Sequence, residues 1–291
     1  MDLFAQLLTN GIIIGATYAL IAIGLTLIFG IMRVVNFAHG EFYMLGAYVA
    51  VSAATALNLG YFIALPIAVV VVSIVGFVFE RVFLRPLRNA DILSTALLTI
   101  GLSIFLQNTA LLIWGPKPGQ VVDPFKGATL MLGDDVVVTA VRTFALVVAV
   151  AAMVALGLLI KYTKFGRMMR ATFQDCDAAA LQGIEVDHVF SLSFMVGVAL
   201  ASLAGALLSA IFIVSPDMGN MANLKSFAVV ILGGLGNIPG AVAGGFLLGL
   251  AESFGAGYIS AGYKDGISFL LLIIVLLIRP YGLFGREDSE A

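Results

Sequence analysis

A short polar run, Arg33, Asn36, His39 and Glu41, separates two apolar stretches near the start of the chain, and one acid, Glu252, lies inside another. Ionisable groups at membrane depth are costly, so where they occur they mark substrate or ion pathways and their gates. If the chain unwinds at 33–41, its polar groups could line a translocation path or a cytoplasmic gate, as broken helices do in transporters. Glu252 could then meet a substrate amino group. The plainer reading of 33–41 is a cytoplasmic turn in which Asn36 caps the next helix, Glu41 sits in its first turn and Arg33 marks the inner face. Glu252 could equally lie near the outer interface or pair with a partner helix. The residue pattern leaves both readings open.

Other chemistry is missing from the pattern. The run Gly233-Gly234-Leu235-Gly236-Asn237-Ile238-Pro239-Gly240 lacks the lysine that would reach a nucleotide phosphate, so it reads as a turn or helix break. Asp134-Asp135 has no second acidic pair at a spacing that would hold a metal diphosphate, and no serine stands in a G-x-S-x-G context. The single cysteine, Cys176, can form neither an internal disulfide nor a cysteine-based metal site, and the two histidines, His39 and His188, are far apart in sequence, so no metal site is expected. The chain is read as a non-enzyme.

One connecting segment, 161–188, has a pattern of its own. Ala178, Leu181 and Ile184 form a narrow apolar stripe at helical spacing, Asp175 and Asp177 suit a helix start, and Gly183 suits its end. A short amphipathic helix on the cytoplasmic face is expected, with Cys176 as a small contact residue and His188 at the mouth of the next span. Such a helix could dock in a groove on a soluble partner. It could also be a solvated helix whose Lys and Arg only fix topology.

The elements that must position these residues follow from composition. Hydrophobic residues make up 61% of the 291 and charged residues 11%, against about 45–50% and 25% in a soluble domain. Mean hydropathy is +1.10. An ordinary soluble protein and a disordered chain are both excluded. Net charge is −2, without the basic excess a nucleic-acid binder needs. Apolar runs at 8–31, 38–57, 61–80, 92–114, 142–160, 189–213, 240–258 and 266–279 read as clear spans, and the shorter run 225–236 as a re-entrant or broken one. The first run follows no basic segment and reads as a retained helix, not a cleaved leader.

Orientation follows the positive charges. Arg33, Arg81, Arg85, Arg88, Lys161, Lys164, Arg167, Arg170, Arg279 and Arg286 fall in one set of loops. Lys117, Lys126, Arg142, Lys225 and Lys264 fall in the other. The richer set is placed in the cytoplasm, the N-terminus outside and the C-terminus inside. That requires an odd number of crossings, so 225–236 is counted as a ninth, irregular segment. The fold class is all-α, a polytopic membrane protein forming a single transmembrane domain over 1–291, with the 161–188 loop within it. The stretch 116–141 is expected outside, with a small hairpin in its Val-rich part. Gly11/Gly15, Gly240/Gly244 and Gly245/Gly249 have G-x-x-x-G spacing and should let helices pack closely, within the chain or against a partner.

Several blocks, in order along the chain, carry a family resemblance. They are Tyr18 to Glu41 with Met44 to Tyr48, Glu80-Arg81 with Arg85-Pro86-Leu87-Arg88, and Thr99-Ile100-Gly101-Leu102. They continue with Phe165-Gly166-Arg167 and Arg170, Ala201 to Gly205, Leu232 to Ala241, and Arg279 to Gly285. The sequence resembles the permeases of high-affinity branched-chain amino acid uptake systems of the ATP-binding-cassette type, and within them the shorter permease subunit. Asp177-Ala178-Ala179 followed by Gly183 resembles the E-A-A-x-x-x-G signature of the loop that docks on the ATPase. Here the first position is Asp, and Ser193 and Met195 stand where the usual I-x-L-P tail would be.

The resemblance implies an importer of amino acids, most closely leucine, isoleucine and valine, in the bacterial plasma (inner) membrane. Its partners would be a second, related permease, two ATP-binding subunits, an extracytoplasmic substrate-binding protein and membrane lipid, with no nucleic acid. ATP and magnesium would reside on the ATPases and no cofactor in this chain. Arg167, Arg170, Asp177, Ala178, Ala179 and Gly183 are then the ATPase-coupling residues. Asn36, His39, Glu41 and Glu252 are the candidates for path or gate. The rival is a passive channel or facilitator for a small polar solute such as urea, which would need no docking loop.

Overall fold

The computed structural model describes residues 2–88, 90–132 and 136–285; Asp134-Asp135 and Arg286 lie outside the described residues. The chain is helical with one small hairpin. Helix α1 spans Asp2–Met32, α2 His39–Thr55 and α3 Tyr61–Phe79, the last continued by a π-helical turn, Glu80–Leu84, and a 3-10 turn, Arg85–Leu87. Helix α4 spans Ile92–Trp114, and strands β1, Thr129–Leu132, and β2, Val136–Thr139, pair antiparallel with Thr129 opposite Thr139. Then follow α5 Ala140–Tyr162, α6 Lys164–Gln174, α7 Cys176–Leu181, α8 Val186–Leu208, α9 Met218–Gly233, α10 Ile238–Tyr258 and α11 Lys264–Ile278.

Seven of the helical stretches are long and apolar enough to cross a membrane. The chain is a multi-pass membrane protein. The other two apolar helices are short. α2, expected from 38–57 as a full span, has 17 residues, and α9, which contains the doubtful run 225–236, starts upstream at Met218 and has 16. At 1.5 Å per residue each is about 25 Å long, less than the ~30 Å of bilayer hydrocarbon.

Of the seven, α1 and α8 are the most enclosed, while few residues of α4, α5 and α11 are buried. The most extensive seam joins α1 to α10 through glycine. A Cβ on Gly249 would fall 2.4 Å from Gly15 Cα, and one on Gly245 2.6 Å from Ala19 Cα. The G-x-x-x-G pairs thus pack within this chain, backbone on backbone.

The Gly233–Gly240 run is the break its composition suggests. Gly234 and Gly236 take φ of 101° and 78°, and Asn237 Oδ1 accepts from Gly240 N at 2.9 Å to cap α10. The segment Arg279–Gly285 folds back onto it, with Leu283 N donating to Leu232 O at 2.8 Å and Phe284 N to Gly233 O at 3.2 Å.

Lys225 is corrected by the structure. The charge pattern sets it among the outer-loop lysines, but it lies within α9 and is buried. The stretch Met218–Ser226 is polar enough to pass for a loop, and the partners that bury Lys225 are distant in sequence.

Candidate functional site

The polar run 33–41 is an irregular re-entry. After α1 ends at Met32, Arg33 takes a φ of 54° and the chain runs without helix through Asn36. His39 Nε2 then donates to Ile21 O at 3.0 Å, about three turns back along α1, so the segment has retreated roughly 15 Å along that helix. Thr99 on α4 braces it, its hydroxyl donating to Val35 O at 3.1 Å and accepting from Phe37 N at 3.2 Å. Asn223 on α9 does so from the other side, donating Nδ2–H to Phe37 O at 2.6 Å. Non-helical backbone at depth must have its polar groups met by protein, and these side chains meet them.

The expected simple cap is not what forms. Ala38, not Asn36, is the N-cap of α2, and no side chain caps it there; Asn36 Oδ1 instead accepts from Ala38 N at 3.1 Å. Asn36, His39 and Glu41 are all buried. His39 points to α1, and Glu41 to the opposite side, toward α4 and α9.

There the first turns of the two short helices cross. A Cβ on Gly40 would lie 2.0 Å from Gly219 O, and a Cβ on Gly219 2.5 Å from Glu41 Oε2. Ser103 on α4 donates to Glu41 Oε1 at 3.0 Å. Four buried polar atoms here have no hydrogen-bond partner among the described residues: Asn36 Nδ2, His39 Nδ1, Glu41 Oε2 and Asn223 Oδ1.

Glu252 stands in a separate cluster. Lys225 Nζ lies 2.9 Å from Glu252 Oε1 and 3.0 Å from Asp265 Oδ1, and donates to Tyr18 OH at 2.7 Å. Tyr18 OH donates to Glu252 Oε2 at 2.7 Å, and Ser268 Oγ to Oε1 at 2.5 Å. Both Glu252 oxygens have hydrogen-bond partners, Lys225 donates to Tyr18 and Glu252 and lies within ion-pair distance of Asp265, and α1, α9, α10 and α11 are tied together. The sequence reading found Glu252 and missed Lys225, Tyr18 and Asp265. An acid and a base one apolar helix apart was the available signal.

A third cluster sits at the α3–α4 turn. Buried Glu80 accepts from Ser191 Oγ and pairs with Arg88 at 3.2 Å, while Asp187 pairs with Arg88 and, at 2.5 Å, with Arg85. Arg88 also lies over the Phe190 ring, 4.4 Å from its centroid. The arginine-rich turn expected in the cytoplasm is thereby fixed to the start of α8.

The 161–188 loop forms two short helices. Thr163 Oγ1 caps α6 by accepting from Gly166 N, and Asp175 Oδ1 caps α7 by accepting from Asp177 N and Ala178 N, each at 2.9 Å. Gly183, at φ 80°, ends α7, with Ile184 N bonded back to Ala179 O at 3.1 Å, a Schellman closure. The expected stripe is not the packed face. Ala179 is buried, but Ala178 is exposed and Leu181 is 87% exposed. α7 is six residues long and packs through Ala179. Arg167, Asp177 and Gly183 are also exposed, whereas Arg170, exposed on one side, donates to Ile160 O at the end of α5. Cys176 is half-buried, and burial raises its thiol pKa, opposed by Arg33.

Between α6, the end of α1, the α9–α10 turn and the C-terminal segment lies a cavity of about 950 Å³, lined in part by Arg33, Arg170, Phe173, Asn237 and Tyr281. Met169 on α6 packs with Leu27, Ile31, Val189 and Phe190. Movement of α6 therefore bears directly on the last turns of α1.

Comparison with known proteins places this arrangement. The family model described as branched-chain amino acid transport system / permease component matches residues 7–276. The high-affinity branched-chain amino acid transport system permease protein LivH of Escherichia coli K12 is 40% identical, covering 99% of this chain and 97% of the relative. BraD, the corresponding permease protein of Pseudomonas aeruginosa, is 39% identical over the same shares. The probable permease LivH of Methanocaldococcus jannaschii is 30% identical over 98% and 94%. No solved structure matches. The multi-pass helical body, the irregular re-entry that leads into the short α2 and the 161–188 arm thus belong to a member of the branched-chain amino acid transport system permease family.

Proposed function

We propose that the chain is one of two related permease subunits in an ATP-driven importer of leucine, isoleucine and valine in a bacterial plasma membrane. ATP and magnesium are bound by two separate ATPase subunits, and an extracytoplasmic binding protein delivers the amino acid. The N-terminus lies outside and the C-terminus inside, with nine crossings if 33–55 and 209–233 each count as one. The clustering of Arg33, Arg85, Arg88 and Arg170 at one end of the bundle supports that orientation, and Lys225 no longer counts against it.

The observation that carries the reading is the α6–α7 arm. Its capped, rigid turn presents Ala178 and Leu181 outward, while Met169 and Phe173 anchor it to the end of α1. An apolar side chain held outward by a well-made turn suits insertion into a partner's groove. Closure of the ATPases would push Arg167, Asp177, Ala178, Ala179 and Gly183, and through α6 shift the end of α1 and the re-entrant segment behind it. Asn36, His39 and Glu41 would then stand at the path or gate, with Glu252 holding helices together behind it.

The test is reconstitution of the whole importer in liposomes with ATP inside or absent. Leucine should accumulate against its gradient only with ATP. Equilibration of leucine or urea without ATP would replace the importer by a passive channel, for which no observation speaks.

A further inference from the structure

Three carboxylates are buried in the helical body: Glu80, Glu252 and Glu41. Glu80 has Arg88, and Glu252 has Lys225. Glu41, 1% exposed, has no Lys, Arg or His within ion-pair distance among the described residues. Its one hydrogen bond comes from Ser103, and Oε2 has none. A buried carboxylate can accept about four hydrogen bonds, and leaving it unmatched is costly.

Two features favour a negative charge there against the cost of burial. Glu41 sits in the first turn of α2 and against Gly219 in the first turn of α9. Both helix N-termini carry partial positive charge. That compensates the charge without using its hydrogen-bonding capacity. On the same side, Asn223 commits its amide N–H to Phe37 O and leaves Oδ1 without a donor. Asn223 lies one turn beyond Gly219 on α9, and its Cβ lies close beside Gly40. His39, two residues before Glu41, faces α1 and takes no part.

The unpartnered atoms of Glu41 and Asn223 are both acceptors, while the unpartnered amide donor nearby, Asn36 Nδ2, belongs to the non-helical segment before α2. A primary ammonium group has three donors and a positive charge, and it fits those two acceptors. The rim of the site is open in this chain, since Ser103 and Asn223 are only half-buried and Asn220, next to Gly219 on α9, is exposed.

We infer that Glu41, with Asn223 beside it, forms a transient subsite for the α-ammonium group of the amino acid during passage. The inference rests on the importer reading above. Glu252 cannot serve in the same way without displacing Lys225, because its oxygens are already filled.

The test uses the complete importer, with binding protein, both permeases and ATPases, in liposomes. Radiolabelled leucine uptake and ATP hydrolysis are measured together for wild type, Glu41→Gln and Glu41→Asp, with co-purification of the subunits as the assembly check. Losing a charge-assisted hydrogen bond should lower leucine imported per ATP about tenfold or more in Glu41→Gln. Binding-protein-stimulated ATP hydrolysis should persist, and Glu41→Asp should recover part of the uptake. Unchanged uptake in Glu41→Gln would show a neutral or purely structural carboxyl and overturn the subsite. Equal loss of hydrolysis and uptake in an assembled complex would make Glu41 a gating residue and overturn it too. Should Glu41→Gln fail to assemble, Asn223→Ala takes its place, with lowered uptake per ATP expected and unchanged uptake overturning the subsite. Wild-type liposomes that import no leucine would refute the importer reading itself, a separate result.

Discussion

Lys225 Nζ lies 2.9 Å from Glu252 Oε1, joining α9 to α10 inside the helical body, with Tyr18 and Asp265 closing the cluster. Removing one member of a buried ion pair leaves the other uncompensated, at a cost of about 3–5 kcal/mol, whereas replacing both by apolar groups is often neutral. Lys225→Met should therefore lower the thermal unfolding temperature of the detergent-solubilised permease strongly. Lys225→Met with Glu252→Leu should recover much of the loss, although Asp265, one-third exposed, keeps some penalty. Additive losses in the double variant would show that the two charges do not act as a pair.

The crossing of α2 and α9 separates backbone contact from side-chain contact. A methyl group on Gly40 meets the Gly219 carbonyl, which cannot move without shifting α9. Overpacking of this kind costs about 1–3 kcal/mol, so Gly40→Ala should assemble poorly. A methyl group on Gly219 meets the Glu41 carboxylate first, the far end of a side chain and not backbone. Gly219→Ala should assemble at near wild-type levels yet transport less leucine per ATP. Equal yield and equal transport for both variants would mean the helices do not approach so closely.

Seven of the eight spans expected as clear, the glycine break at 233–240 and the start and stop of α7 were legible in the sequence because each depends on local composition and short-range hydrogen bonds. Asp175 and Gly183 take the start and end positions that their residue types favour. Depth was not legible. Nothing within 33–41 states whether its polar groups meet water or α4 and α9, since Thr99, Ser103 and Asn223 supply the answer from 62 or more residues away. Lys225 was lost for the same reason, as its partners lie on three other helices. The apolar stripe of 178–184 assumed a continuous helix, whereas the closure at Gly183 turns Ile184 back toward Ala179 and leaves Leu181 outward.

Cys176 offers a reporter on the same arm. The thiolate is the reacting species, and burial holds this thiol above its ordinary pKa. Maleimide labelling of the permease alone should rise with pH and reach half-maximal rate above the pH typical of a free cysteine. Adding the ATPase subunits should slow labelling at every pH. A rate that is independent of both pH and ATPase would put Cys176 outside the docking surface.

The arm also distinguishes two arginines that the sequence treats alike. Arg167 is exposed and its side chain makes no hydrogen bond or ion pair among the described residues, whereas Arg170 caps the end of α5 through Ile160 O. Arg167→Glu and Leu181→Asp should leave the unfolding temperature nearly unchanged, since exposed substitutions typically stay within about 0.5 kcal/mol. Both should lose co-purifying ATPase and ATP-driven uptake, because each alters what the arm presents outward. Arg170→Glu removes a bond to an otherwise open helix end, worth about 1–3 kcal/mol, and should lower stability and coupling together. Only the first two variants therefore test docking. If they retain full uptake with ATPase bound, the contact to the motor lies elsewhere on the cytoplasmic face, and the Glu80–Arg88–Asp187 cluster at the start of α8 becomes the next surface to alter.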